Sequence, residues 1–372
     1  MKNHTSSPFM RALAAGVQAN VGTLIWGEPG QAKTATVEAA SRAWGYHSET
    51  VIGSNREASD FLGVMVETDG VVNYSSFAWA QNLIDADKGL LFLDEFNTSA
   101  PSTMKGMLRV VQERWVGEVK LPDSVAIIAA ANPTETAVDA YDLPAPMANR
   151  LMHLDWVFDS AGWLDNVGTG FGNITYPSLS SLLGADPVSR KAAVTGAVTS
   201  FLRTRPNLLT PSVPTDPVKA GQAWPSPRSW TNVIEVLAQL DAYDDEAAYL
   251  IVTGLVGEGA ATEYFAWLAA SDLHDPAEVI DNPTMVNWRD ERADRLFALV
   301  QAVTALGLSK PELWRKATLV MAACADGGKP DAAAPGAQKL MNNKPDDAKM
   351  PVEFRVAFLE LFSATHNTVS KV

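Results

Sequence analysis

From residue 22 to residue 131, short apolar runs alternate with stretches whose apolar residues recur at helical spacing. Gly22-Thr-Leu-Ile-Trp26 reads as a buried strand, residues 27–34 as a glycine-rich turn, and residues 34–44 as a helix closed by Gly45. Two further buried strands are expected, one over residues 89–94 ending at Asp94 and one over residues 124–131 running into Asn132. An uninterrupted apolar strand is covered on both faces, and strands separated by helices pair in parallel, so residues 1–160 predict an α/β core. In such sheets ligands sit at the carboxyl ends of the strands.

Two segments break the rhythm and read as β-hairpin insertions: residues 64–74, turning at Asp69-Gly70, and residues 113–121, turning around Gly117. Residues 161–225 are rich in Gly, Ser, Thr and Pro and predict an irregular connecting region, with a candidate helix at 188–203 inside it. Ser226-Pro-Arg228 then opens a helical pattern in which Trp230, Val233, Ile234, Leu237 and Leu240 share a face, so residues 226–325 predict an all-α domain. Residues 326–351 combine Gly, Pro, Ala and Asp and are expected to be a flexible linker before a C-terminal helix within 352–372.

The balance of 29 Lys+Arg against 43 Asp+Glu gives a net charge of −14, which disfavours a protein built to grip nucleic acid or an anionic membrane. No segment approaches the roughly 18 apolar residues of a membrane span. The first residues lack the order of a secretory signal, and one cysteine, Cys324, forms no internal disulfide, so a soluble cytoplasmic protein is expected. Trp26, Trp44 and Trp79 fall in apolar runs and are expected in the core, and the scattered histidines show no metal-ligand spacing.

The chemistry concentrates at the strand ends. Gly27-Glu28-Pro29-Gly30-Gln31-Ala32-Lys33-Thr34 lies between a strand and a helix, where backbone N–H groups can cradle phosphate, Lys33 can reach the terminal phosphates and Thr34 can ligate Mg2+. Ala32 stands where the second glycine of this motif is common. Asp94 and Glu95 close a buried strand, Asp94 suited to hold Mg2+ and Glu95 to polarise an attacking water. Asn132 suits either orientation of that water or capping of a turn, and Arg150 and Arg228 suit either phosphate charge or surface ion pairing.

Taken together, these residues resemble the MoxR family of AAA+ ATPases, in the helix-two-insert group. The resemblance rests on the Gly-x-Pro-Gly-x-Ala-Lys-Thr loop, with its alanine, and on Asp60-Phe-Leu-Gly63, Leu91-Phe-Leu-Asp-Glu-Phe-Asn97, Met107-Leu-Arg-Val-Val-Gln-Glu113, Ala130-Ala-Asn-Pro133 and Ser226-Pro-Arg228. It implies a P-loop AAA+ core with a parallel sheet and two hairpin insertions, followed by an all-α lid. It also implies ATP and Mg2+ as ligands and a homo-oligomeric, hexameric ring acting as a chaperone-like remodeller of a client protein. Asn132 is then the first sensor, Arg228 the second sensor on the lid, and Arg150 the arginine that contacts a neighbour's γ-phosphate in trans. Asn149 and Leu151 flank Arg150 where the family usually has Asp and Phe. The stretch 254–264 is similar to MoxR proteins encoded beside von Willebrand factor A-like proteins, which suggests such a partner, and Trp115 in the second hairpin would face a central pore.

Two other functions share the motifs. A DNA-dependent motor of the helicase type is disfavoured by charge, since the first hairpin has no cation and the second has Arg114 and Lys120. A slow ATP-dependent assembly switch is disfavoured by Glu95.

Overall fold

The three buried strands form, and two edge strands flank them. A computed structural model describes residues 6–134, 137 and 140–359. In chain order the strands are β1 (Thr23–Trp26), β2 (His47–Ile52), β3 (Val64–Thr68), β4 (Val71–Ser75), β5 (Gly89–Asp94), β6 (Trp115–Val116), β7 (Val119–Lys120), β8 (Val125–Ala131) and β9 (Met152–Asp155). Five of them make one all-parallel sheet in the order β2-β5-β8-β1-β9. β1 lies beside the later strand β8, so the chain reverses its direction of winding there and opens a crevice at the carboxyl ends. The register sets Trp26 beside Ala131 and Asp155, and Ile52 beside Asp94, so the polar segments after β1, β5 and β8 emerge at one edge.

The helix Lys33–Ala43 follows the glycine-rich turn, and Gly45 takes a left-handed φ of 76° just beyond its end. Trp44 and Trp79 are buried, as expected, while Trp26 is half-buried. Both hairpins are present as β3–β4 and β6–β7. Gly117 N–H donates to Phe61 O at 3.1 Å, and a Cβ on Gly63 would stand 3.3 Å from Gly117 Cα, so the second hairpin touches the base of the first through two glycines. The first hairpin leaves Val64, Met65, Val66, Val71 and Val72 exposed, Met65 at 66%.

The chain divides into two compact units: Met1–Ala185 with Thr210–Ala261, and Asp186–Leu209 with Thr262–Val372. The expected helical stretch 226–325 is therefore split. Its first helices, Pro227–Leu237 and Asp245–Val256, belong to the unit that holds the sheet. Ser226 caps the first of them through a box with Ser229, with Pro227 in the first turn. The second lies along β9 so closely that a Cβ on Gly254 would stand 2.1 Å from His153 O. An ion pair between Arg11 and Asp244, at 2.5 Å, ties the N-terminal helix Pro8–Gln18 to the start of Asp245–Val256.

The second unit is helical, with the helix Pro187–Thr204 coming from the stretch read as connecting region. The linker expected at 326–351 contains instead the helix Pro330–Asn342, with Ala333, Ala337 and Leu340 fully buried. The same small residues that argued against a core let this helix approach its neighbours. A Cβ on Gly336 would meet Thr304 Oγ1 at 2.6 Å, and Trp314 Nε1 donates to Leu340 O at 2.7 Å. The helix Val352–Ala357 follows, and the remainder of the expected C-terminal helix, residues 360–372, lies outside the described residues. Among the described residues no helix is long and apolar enough to cross a membrane.

Candidate functional site

Two groups of charged side chains lie in the unit that holds the sheet, and they are built differently. The first gathers at the carboxyl ends of β1, β5 and β8. Gly27 begins the turn by donating its N–H to Ala131 O at 3.1 Å, and a Cβ there would stand 2.7 Å from Trp156 Cβ, so only glycine fits. Gly30 has φ 77° with open space where a Cβ would be, and Ala32 takes the left-handed φ of 60° that a glycine would adopt at no cost. No side chain caps the helix Lys33–Ala43, so the N–H groups of its first turn remain directed at the loop.

Lys33, only 7% exposed, donates from Nζ to Gly27 O at 2.6 Å, Glu28 O at 2.8 Å and Asn132 Oδ1 at 3.3 Å. Burial pushes its ammonium below the usual lysine range, while Asp94 and Glu28 pull it back up. Thr34 Oγ1 donates to Asp94 Oδ2 at 2.5 Å, and Asp94 Oδ1 accepts from Glu95 N at 2.9 Å. Glu95 itself sits at φ 53°, a strained conformation for a residue with a Cβ, and its Oε2 accepts a hydrogen bond from Ser54 Oγ. Thr98 and Ser99 hydroxyls donate to its carbonyl at 3.2 and 2.9 Å, which holds the turn.

Asn97 is fully buried and brackets Asn132: its Oδ1 accepts from Asn132 N at 2.9 Å and its Nδ2 donates to Asn132 O at 2.8 Å. Nothing in the strand-and-turn pattern singled out Asn97, although a polar residue inside the run Asp94-Glu-Phe-Asn97 was a usable signal. Trp156, also not anticipated, donates from Nε1 to Gln31 O at 3.1 Å and meets the Phe9 ring edge-on at 5.2 Å, forming a wall beside the loop.

The donor set fits a nucleotide with Mg2+. A hydroxyl and a carboxylate side by side suit a hard cation, and among the described residues no cluster of three or more His, Cys, Asp or Glu forms a cage of its own. Mg2+ typically uses one or two protein oxygens and completes its shell from water and phosphate. A neighbouring cavity of about 410 Å³ is lined by Trp26, Asp142, His153, Asp155 and Glu258 and, among the described residues, by no Lys or Arg, so these residues are unsuited to phosphate.

The second group is Arg150 with Arg228. Arg150 lies just after the helix Ala145–Ala148 and donates from Nη1 to Pro146 O, whereas Arg228 is exposed in the first turn of Pro227–Leu237. Desolvation lowers the Arg150 guanidinium below its ordinary value, and the like charge of Arg228 lowers it further. Among the described residues no carboxylate lies within ion-pair distance of either one. The charges that act on Lys33 are Asp94 and Glu28, and the charge that acts on Arg150 is Arg228. The structure thus brings Lys33, Thr34, Asp94, Glu95 and Asn132 together at the strand ends, and sets Arg228 near enough to Arg150 for the like charges to act on each other.

His153 stands between β1 and the Arg150 turn. Its Nδ1 accepts from Trp26 Nε1 at 2.9 Å and its Nε2 donates to Ala148 O at 2.9 Å, which defines one neutral tautomer. Burial pushes it down to about 4.

No curated protein matches the sequence. A solved structure from Cytophaga hutchinsonii, described provisionally as an ATPase, is similar over 66% of this chain and 80% of its own, at 18% identity and a TM-score of 0.45. Residues 22–153, from the start of β1 into β9, match the family described as the ATPase family associated with various cellular activities (AAA), and this third of the chain is similar to an AAA-type ATPase domain.

Proposed function

We propose that the protein is a Mg2+-dependent ATPase of MoxR type that assembles into a ring, hexameric by family analogy, and remodels or activates a client protein, a von Willebrand factor A-like protein being the suggested partner. The observation that carries this reading is the convergence of Lys33, Thr34, Asp94 and Asn132 by hydrogen bonds at one sheet edge, inside the segment similar to AAA ATPases.

On binding ATP, Lys33 exchanges the Gly27 and Glu28 carbonyls for phosphate oxygens, and the loop N–H groups take the rest of that charge. Thr34 and Asp94 would hold Mg2+, which when bound neutralises charge on the β- and γ-phosphates. Glu95, released from Ser54, takes a proton from the water whose oxygen bonds to the γ-phosphorus, while the bond from that phosphorus to the bridging oxygen breaks and ADP leaves. Asn132, held by Asn97, orients that water. Arg150 stabilises the γ-phosphate charge of a neighbouring subunit's ATP, as the family resemblance implies, and Arg228 acts beside it as the second sensor.

The Ser54–Glu95 hydrogen bond favours one second reading, a slow assembly switch that holds its glutamate back. Steady-state ATP hydrolysis against protein concentration separates the two. A rate per subunit that rises with concentration and is lost in Glu95→Gln supports the ATPase. A rate that never rises, or that survives Glu95→Gln, contradicts it, and turnover that requires DNA and weakens with salt would favour a motor.

A further inference from the structure

The arginine pair poses a physical question: two guanidiniums held near each other without a carboxylate repel, so something else must keep them in place. The turn that carries Arg150 is fastened on both sides by uncharged groups. On one side His153 Nε2 donates to Ala148 O at 2.9 Å. On the other, Asn149, only 7% exposed, reaches the segment that carries Arg228. Asn149 Oδ1 accepts from Ser226 Oγ at 2.7 Å and Asn149 Nδ2 donates to Trp224 O at 2.8 Å. Ser226 is in turn the N-cap of Pro227–Leu237, so the clasp grips the helix two residues before Arg228.

We propose that Asn149 is the positioning residue that fixes Arg150 and Arg228 as one preformed clamp for phosphoryl oxygens, an inference that rests on the ATPase reading above. A side chain at this place needs both an acceptor and a donor, and an amide supplies them on one planar group. Because the amide is neutral it holds the two segments without adding a charge of its own. The Ser226 hydroxyl donates to Asn149 and its oxygen accepts from Ser229 N at 3.1 Å, so the clasp and the helix cap share one atom. Loss of the amide would leave Ser226 Oγ and Trp224 O only their longer bonds to Ser229 Oγ, both 3.3 Å, and free the Arg150 turn to move away from Arg228.

The test is a double-mutant cycle in the full chain under assembling conditions, with ATP as substrate. Asn149→Ala is expected to lower kcat about tenfold or more and leave KM within about threefold, since a displaced clamp weakens the transition state and not nucleotide affinity. Arg150→Ala lowers kcat further, and the double variant matches Arg150→Ala within about twofold, because the amide positions the Arg150 turn against Arg228, whose helix keeps its Ser226–Ser229 cap without it. Effects that multiply, or an Asn149→Ala enzyme with full kcat beside a crippled Arg150→Ala enzyme, overturn the inference and leave the ATPase reading intact. Full activity in Arg150→Ala overturns that reading for the arginine and the inference with it. Where Asn149→Ala fails to fold, Asn149→Ser fills most of the site without spanning both partners and is expected to show the same loss. Unfolding of both variants would make Asn149 purely structural and overturn the proposal.

Discussion

Lys33 in the phosphate-loop group and the arginine pair are all cationic, but their charges are satisfied in opposite ways. Lys33 is buried, its proton affinity lowered by desolvation and its three donors spent on two carbonyls and an amide, with Asp94 close by. Arg150 and Arg228 have no carboxylate partner among the described residues and are held together by Asn149 and Ser226, which carry no charge. The lysine must therefore trade partners to take a phosphate, whereas the arginines need only be brought to one. On the function proposed above, the second half of the site is supplied by assembly, which at a net charge of −14 works against the self-repulsion of the subunits.

The most severe way to test the first group is Glu95→Gln, expected to lower kcat about 10²–10⁴-fold with nucleotide still bound, read by turnover and by equilibrium nucleotide binding. Arg150→Ala or Arg228→Ala is expected to cost about 10²–10³ in kcat with KM little changed. Equal losses of affinity in those variants would mean that the arginines serve their own subunit's nucleotide, and the contrast between the groups would collapse.

His153 joins the two regions, and its protonation should loosen both. Its value of about 4 in the fold lies below the 6.5 of an ordinary histidine, so the unfolded chain takes up the proton first as the pH falls. The stabilisation is complete above pH 6.5 and is lost as the pH falls toward 4, amounting to about 3 kcal/mol at most, from roughly 1.4 kcal/mol per pH unit. Urea unfolding across that window should show a slope that His153→Gln flattens; parallel curves would remove the histidine from the account.

Smaller effects probe the backbone beneath each group. Gly254→Ala puts a methyl into His153 O and is expected to cost about 1–3 kcal/mol in unfolding experiments. Ala32→Gly relieves a left-handed alanine but adds chain entropy to the unfolded state, for a net gain of about 0.5 kcal/mol.

The same contrast explains what could be read from the chain alone. β1, β5, β8 and the phosphate loop are local patterns, apolar runs and glycines within a few residues of Lys33 and Asp94, and they fold where the pattern placed them. β2 and β9 escaped notice because an edge strand buries less, and His47-Ser-Glu-Thr and Met152-His-Leu-Asp show no apolar run. The helix Pro330–Asn342 escaped because close approach by Ala and Gly, in place of bulky apolar side chains, anchors it. In the candidate site, Asn97, Ser54 and Asn149 act through hydrogen bonds to segments between 35 and 77 residues away, and no spacing rule reveals such partners.

The division of the site between subunits is tested most directly by mixing two inactive proteins. One carries Lys33→Ala and Glu95→Gln, with its arginines intact; the other carries Arg150→Ala and Arg228→Ala, with its phosphate loop intact. Each alone should hydrolyse ATP at background rate. The account predicts that the mixture recovers a substantial share of wild-type activity, because the first protein lends its arginines to the second. A mixture no more active than its parts, under conditions where the wild type is active and both variants fold and assemble, would contradict it.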